Sequence, residues 1–439
     1  MSDLHFESKP IEAIRGDINV PGDKSISHRA IILGSIARGT TTVSGFLAGH
    51  DCMATLKAFQ AMGVRIEGPV ANRVVIHGVG KYGLKKPQTA LDCGNSGTSM
   101  RLLAGILAAQ PFDSELDGDE SLRKRPMERI SRPLVQMGAD ITTTEGKPPL
   151  YIRGGQTLKG ITYEMPVASA QVKSCLLLAG LYAKGETTVI EKGMTRDHTE
   201  RMLTTFSYHI QKLENGVAIN SDSECLGTDI IVPGDISSAA FFMVAASIIR
   251  GSDLLIRNVG INPTRTGIIQ ILDLMGADIT LTNKRLCGEE LVADLHVRYA
   301  QLEGIDIPVA LVPLAIDEFP AIFIAAACAK GQTRLHGAKE LRIKESDRIG
   351  VMVEGLQALG IETHAFEDGL FIKGGVLQGG EVNSFHDHRI AMAFAIAGAA
   401  AQQPVIIRHC DNVATSFPDF VKTAQSISMN IEEYRDESR

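Results

Sequence analysis

Lysine and arginine recur in this chain at the points where helices should begin. The stretch VPGDKSISHRA (20–30) turns at Pro21-Gly22, provides an Asp or Ser to cap a helix, and opens that helix with Lys24, Ser25 and Arg29. Ser25 and Arg29 are one turn apart on one face. Free N–H groups and the positive end of the helix dipole add to these cations, so the place suits a phosphate or carboxylate. A solvated helix start with a surface arginine is the alternative. LDCGNSGTSMRLLAGILAA (91–109) sets Asn95, Gly97 and Thr98 in a tight turn before an apolar helix. It lacks the GxxxxGK[ST] pattern of a nucleotide loop, and Gly97 lets a ligand approach the backbone; a plain capping turn fits equally. GDESLRKRPMERI (118–130) puts Arg123, Lys124 and Arg125 just before Pro126, read as a first helical position, where three cations call for an anion. MTRDHTERM (194–202) adds Arg196, with Asp197 and Glu200 near enough to neutralise it.

Neutral and acidic candidates occupy the same kind of place. ASAQVKSCLLLAG (168–180) offers Ser169 and Gln171, which either cap a helix or hold a hydroxylated ligand. AIDEFPAIFIAAACA (315–329) places Asp317 and Glu318 before a helix entered through Pro320, as a cap or as a carboxylate poised for proton transfer. LRIKESDRIG (341–350) carries Lys344, Glu345 and Arg348 at spacings that also suit a salt-bridged surface helix. HDHRIAMAFAIAG (386–398) starts a small-residue helix with His388 and Arg389. His386 and His388 lack a third ligand set, so no metal is expected. Cations at several helix starts, in both halves of the chain, predict a cleft between domains that closes on a substrate with several negative charges.

The elements that must position these residues repeat. A helix ending at Gly and followed by an alternating strand recurs as AFQAMGVRIEG (58–68), PLVQMGADITT (133–143), ILDLMGADITLT (271–282) and GLQALGIETHAF (355–366). Degenerate copies, TTFSYHIQKL (204–213) and TAQSISMNIEE (423–433), fall where the series requires them. A small-residue helix, a Gly turn and a strand recur as IARGTTTVSGF, LYAKGETTVIEKG, IIRGSDLLIRNV and CAKGQTRLHGA. The chain therefore reads as six βαβαββ units, three in each of two α/β domains. VPGD returns at 232–235 as VPGDISSAAFF, with Ile236 in the place of Lys24. Taking the two copies as crossings between domains predicts one domain from 1–21 and 234–439, and an inserted domain at 22–233.

Composition sets the outer bounds. With 439 residues, 44% hydrophobic and 22% charged, there is enough apolar surface for two ordinary cores. A net charge of −7, no Trp and 5% aromatic content argue against nucleic acid as a partner. No window reaches the roughly 18 uninterrupted apolar residues of a membrane span. Seven scattered cysteines without a CxxC pair read as buried thiols in a reducing compartment, and a cytoplasmic protein is expected.

PGDKSISHRA, GNSGTSMRL, KRPM, ASAQVKS, TRDHTE, DEFP, LRIKESDR, DHRIAM and TSFPDF, in this order from residue 20 to 420, resemble the 5-enolpyruvylshikimate-3-phosphate (EPSP) synthase family. ASAQVKS, TRDHTE and ATSFPDF are similar to its bacterial class II branch. The resemblance implies the inside-out α/β barrel of enolpyruvyl transferases, with the active site in the interdomain cleft. It also implies transfer of the enolpyruvyl group of phosphoenolpyruvate to the 5-hydroxyl of shikimate 3-phosphate, with release of phosphate. That is the shikimate-pathway step toward chorismate and the aromatic amino acids. No cofactor is implied, and a monomer without nucleic-acid or membrane partners is expected. By the resemblance, Lys24, Ser25, Arg29, Ser169, Gln171, Arg196, Asp317 and Lys344 hold shikimate 3-phosphate. Lys24, Gly97, Arg125, Gln171, Arg348 and Arg389 hold phosphoenolpyruvate. Asp317 is implied as base toward the 5-hydroxyl, Glu345 as acid toward carbon, and Lys24 as the group stabilising the departing phosphate, although the division between the two carboxylates stays open.

Two positions depart from the family pattern. Thr415 stands where the class I branch has a phosphate-binding Lys, and Glu340 replaces an Asn near the sugar phosphate; Arg196 is the candidate to supply the missing cation. Glyphosate occupies the phosphoenolpyruvate site in this family, and Gly97 leaves that space open, so inhibition by glyphosate is expected. Two rivals remain: the related transferase acting on UDP-N-acetylglucosamine, and a repeat scaffold that binds anionic partners without chemistry.

Overall fold

The helix–glycine–strand phrase becomes one structural device used six times. In a computed structural model of the chain, which describes residues 3–435, the helices His50–Ala61, Glu128–Gln136, Gly267–Leu274 and Arg348–Ala358 run into Gly63, Gly138, Gly276 and Gly360. These glycines have φ of 87°, 101°, 85° and 83°, the left-handed region that a helix end exploits. In the degenerate copies a serine adopts the same conformation: Ser207 (φ 61°) after His198–Thr205, and Ser428 (φ 68°) after Phe420–Ser426. The closing hydrogen bonds match, with Ser207 N donating to Thr204 O at 2.9 Å and Gly276 N to Asp273 O at 2.8 Å. The helix end is kept where the glycine is not.

Each repeat yields one sheet. Among the described residues the sheets number six, five with four strands and one with three. In each four-stranded sheet a parallel pair is followed by two antiparallel neighbours, which form a hairpin except where Leu4–Lys9 pairs with the distant Asn430–Arg435. Asp229–Ile231 runs parallel to Arg38–Ser44, which pairs antiparallel with Arg73–Val79 and so with Arg65–Val70. In the three-stranded sheet of Gln332–Leu335, Leu370–Lys373 and Glu362–Ala365, the fourth place is taken by parallel bridges Glu303↔Lys330 and Asp306↔Arg334. Alternating burial along Lys147–Arg153, buried at Pro148, Leu150 and Ile152, shows one face turned to a core and the other to water.

The chain divides into two compact units. One comprises the chain through Pro21, Pro233–Leu286 and the chain from Leu291 onward; the other comprises Gly22–Val232 with Cys287–Glu290. The split thus falls at Pro233, and the turn of the hairpin Asp278–Cys287 and Glu290–Arg298 groups with the second unit. Residues 1, 2 and 436–439 of the expected division lie outside the described residues. Each unit holds three of the six sheets and its own apolar core.

Helices fill those cores. In the first unit, Ile236–Ile248, Phe319–Cys328 and His388–Ala400 pack on one another and are buried on nearly every side, as helices apolar all round must be. In the second, Gly97–Leu107 packs on Lys24–Ile36 and Ala170–Gly180. The VPGD copies behave alike: Asp23 accepts from Ile26 N at 2.8 Å and Asp235 from Ser237 N at 2.8 Å. Gly22 is obligatory for space, because a Cβ there would stand 1.9 Å from Gly45 O.

Candidate active site

In the second unit, the N-termini of the three core helices are laced together by polar side chains. Lys24 sits in the first turn of its helix, its ammonium 3.0 Å from Asp51 Oδ2. One turn later Arg29 is buried; it donates to Ser25 O at 2.9 Å, Ser174 Oγ at 2.7 Å and Thr199 Oγ1 at 2.6 Å. Gln171 faces the Gly97 helix, donating to Thr98 Oγ1 at 3.0 Å and accepting from Arg101. Ser169 caps its helix through Val172 N. A buried relay runs from His28 Nδ1 to Thr55 Oγ1 at 2.8 Å, then to Ser99 Oγ at 2.7 Å and Ser96 Oγ at 2.8 Å, and Ser96 caps the Gly97 helix. Burial, with Lys24 and Arg29 nearby, holds the His28 imidazole well below its usual range, so it stays neutral.

Gly97 is the focus of this set. A Cβ placed on it would lie 2.9 Å from Arg101 Nη1 and 3.3 Å from Arg125 Nη1. Its backbone is ordinary helix, so glycine serves space here and not conformation. Arg101 donates to Gln171 and to Pro126 O, and Arg125 donates to Asn95 Oδ1 at 2.9 Å and Ser121 Oγ at 3.4 Å. Two guanidinium groups converge on the positive end of a helix, an arrangement that an anion would stabilise.

The structure corrects one expectation about this region. Arg123 and Lys124 close the short helix Glu120–Arg123, which Asp119 caps, and the next helix begins only at Glu128. They therefore stand at the negative end of a helix, where cations are favoured. Each has a carboxylate, Asp117 for Arg123 and Glu120 at 2.7 Å for Lys124. Only Arg125 of the three turns inward, with 7% exposure. Arg196 is half-buried in the loop before the helix His198–Thr205. Asp51 and Arg101 escaped the sequence reading; Arg101 lies one turn beyond Gly97 on the same face, a spacing that could have exposed it.

The first unit carries the carboxylates. Asp317 precedes the helix Phe319–Cys328 and stands 3.4 Å from Lys344 Nζ, 3.6 Å from Arg348 Nη1 and 4.0 Å from Arg389 Nη2. Its neighbour Glu318 plays a different part: it is 1% exposed, accepts from Ser237 and lies 3.9 Å from Arg265. Arg348, 1% exposed, donates to Glu345 Oε2 at 2.6 Å and to Asp387 at 2.9 Å and 3.2 Å. Burial opposes its charge, but Asp387 and Glu345 outweigh that and push its pKa up. Asp387, also missed in the sequence, caps the Arg389 helix through Arg389 N at 3.0 Å and accepts from Ser346 Oγ at 2.9 Å. The departures are local: Thr415 Oγ1 donates to Asn412 O at 2.7 Å within its own turn, and Glu340 is half-buried in the turn Lys339–Ile343. Among the described residues no group of three or more His, Cys, Asp or Glu could hold a metal.

Three-repeat units, helix N-termini bearing cations, and a carboxylate set among lysine and arginine define an α/β protein of the enolpyruvyl transferase fold. The chain belongs to the EPSP synthase (3-phosphoshikimate 1-carboxyvinyltransferase) family, whose sequence pattern it matches over residues 8–424. It is 69% identical over 431 residues to a 3-phosphoshikimate 1-carboxyvinyltransferase of Legionella pneumophila (strain Corby), covering 98% of this chain and 100% of that one. Identity to the protein of the same name from Methylococcus capsulatus is 60%, over 98% of this chain and 99% of the other. The solved EPSP synthase of Acinetobacter baumannii superposes with a TM-score of 0.88 at 55% identity, covering 98% of this chain and 100% of that structure.

Proposed function

We propose that the residues gathered in each unit carry out the reaction of this family, in which the enolpyruvyl group of phosphoenolpyruvate passes to the 5-hydroxyl of shikimate 3-phosphate and phosphate is released. The pair of guanidinium groups over Gly97 is the observation that carries the assignment, because it suits a small, densely charged anion. Phosphoenolpyruvate is held by Lys24, Gly97, Arg125, Gln171, Arg348 and Arg389, with Arg101 added from the geometry. Shikimate 3-phosphate is held by Lys24, Ser25, Arg29, Ser169, Gln171, Arg196, Asp317 and Lys344.

Proton accounting requires one group that takes a proton and one that gives one. The 5-hydroxyl must lose a proton as its oxygen bonds to the central carbon of phosphoenolpyruvate, and the methylene carbon must gain one. Asp317 takes the first proton and Glu345 gives the second. Because the product retains a methylene group, the added proton leaves again as the carbon–phosphate oxygen bond breaks. Lys24 stabilises the departing phosphate, and Asp51 holds its ammonium in place. The work divides by unit: the second supplies most of the cations, the first the proton-transfer groups.

The test is phosphate release from phosphoenolpyruvate with each acceptor. Release that depends on shikimate 3-phosphate and not on UDP-N-acetylglucosamine is expected; no release with either would sink the assignment. Glyphosate should compete with phosphoenolpyruvate, and Gly97→Ala should weaken that inhibition roughly 10-fold or more, because the added methyl crowds both arginines. Turnover indifferent to millimolar glyphosate would refute this. We place the protein in the cytoplasm as a monomer; none of its seven cysteines joins a disulfide, which supports a reducing compartment.

A further inference from the structure

A buried cation lies one turn into the helix that presents Ser169 and Gln171, and the proposed substrate contacts do not account for it. Lys173 is 1% exposed on the helix Ala170–Gly180. Its ammonium is 2.8 Å from Glu191 Oε1 and 2.6 Å from Glu200 Oε1. Desolvating an ammonium and two carboxylates is costly, and an apolar side chain would serve packing alone at least as well. Glu200 registers that cost: burial pushes its carboxyl above the usual range despite the nearby lysine.

The two carboxylates stand at the two ends of one loop. Glu191 directly follows the strand Thr187–Ile190, and Glu200 is in the first turn of the helix His198–Thr205. Arg196 lies between them. The second oxygen of Glu191 accepts from Thr195 N at 3.1 Å and from the Thr195 hydroxyl, one residue before Arg196. An adjacent position on each helix, one after Lys173 and one before Glu200, repeats the cross-link in neutral form, Ser174 Oγ to Thr199 Oγ1 at 2.7 Å, with Arg29 donating to both. Within the loop Gly193 has no side chain and Met194 is 59% exposed, whereas Thr195 is buried against Glu191. The charged clamp anchors the loop at both ends.

We infer that Lys173 is a positioning residue for Arg196, holding the loop 191–197 through Glu191 and Thr195 at one end and Glu200 at the other, so that the guanidinium is ready for the phosphate of shikimate 3-phosphate. The inference rests on the proposed role of Arg196 as a ligand of that phosphate. A group held in its bound geometry spares the ordering cost of binding, an effect seen in KM for one substrate with little change in kcat.

Thr195→Val, Lys173→Met, Arg196→Met and the two double variants with Arg196→Met test it, with both substrates varied separately. Thr195→Val removes one hydroxyl and no charge, so it carries the test if Lys173→Met fails to fold. KM for shikimate 3-phosphate should rise about 3- to 10-fold in Thr195→Val and more in Lys173→Met, with kcat and KM for phosphoenolpyruvate within about 2-fold. In the Arg196→Met background neither change should raise KM further. Arg196→Met raising KM while Thr195→Val and Lys173→Met leave it unchanged, or effects that add in the double variants, would overturn the positioning role. No effect of Arg196→Met itself would overturn the assignment of Arg196, a separate failure.

Discussion

Replacing the two left-handed serines with glycine should stabilise the protein, one unit at a time. Ser207 and Ser428 hold φ of 61° and 68° at helix ends where four other repeats have glycine. An L-residue in that conformation costs about 1–2 kcal/mol. Glycine gives back about 0.5–1 kcal/mol through the greater freedom of the unfolded chain. The net gain is therefore about 0.5–1 kcal/mol for each of Ser207→Gly and Ser428→Gly, worth roughly 1–4 °C in Tm for a unit near 200 residues. Both serines are exposed, so little packing is lost. They lie in different units, so their effects should add. The converse variant is Gly276→Ser: φ is 85°, and the nearest outside atom to an added Cβ is Gln301 O at 4.0 Å, so it tests the backbone term without a clash. It should lose about what the serine variants gain. Urea unfolding followed by circular dichroism measures all three. Neutral or destabilising Ser207→Gly and Ser428→Gly, beside a destabilising Gly276→Ser, would refute the reasoning.

Other expectations follow from buried charges. His28 is held neutral in the fold, below the ordinary histidine value of 6.5, so the unfolded chain takes up the extra proton as pH falls; its contribution is full above that value and is lost below it. Between pH 6.5 and 5.5 the wild type should lose about 1 kcal/mol more stability than His28→Gln in urea titrations, and equal losses would contradict this. Arg348→Met leaves the fully buried Asp387 without its 2.9 Å partner and should cost about 3–5 kcal/mol, read as a lower urea midpoint. Asp317→Asn should lower kcat about 10²- to 10⁴-fold with an unchanged melting temperature; near-normal turnover would remove Asp317 from proton transfer.

Much of the fold was legible because it is written locally. AFQAMG, PLVQMG, ILDLMG and GLQALG each specify a helix and the residue that ends it within one or two turns, and even TTFSYH and TAQSIS, with serine for glycine, make the same turn. The VPGD echo specified two Asp caps in the same way. Reading fails where a charge meets a distant partner. Arg123, Lys124 and Arg125 look equivalent in the chain, yet Asp117 and Glu120 claim the first two while Arg125 turns in beside Gly97. Glu120 is four residues from Lys124, so that pairing was open to inspection; the inward turn of Arg125 was not.

By itself, then, the sequence determined the helix ends, the caps, the strand alternation and the family motifs, since each depends on residues within a turn or two of one another. Tertiary structure alone decided which partner each charge meets. Lys24 meets Asp51 across 27 residues and Arg348 meets Asp387 across 39, and Lys173 finds its two carboxylates only when a loop closes over its helix. Electrostatic compensation acts through space over a few ångströms, and sequence separation carries no measure of that distance.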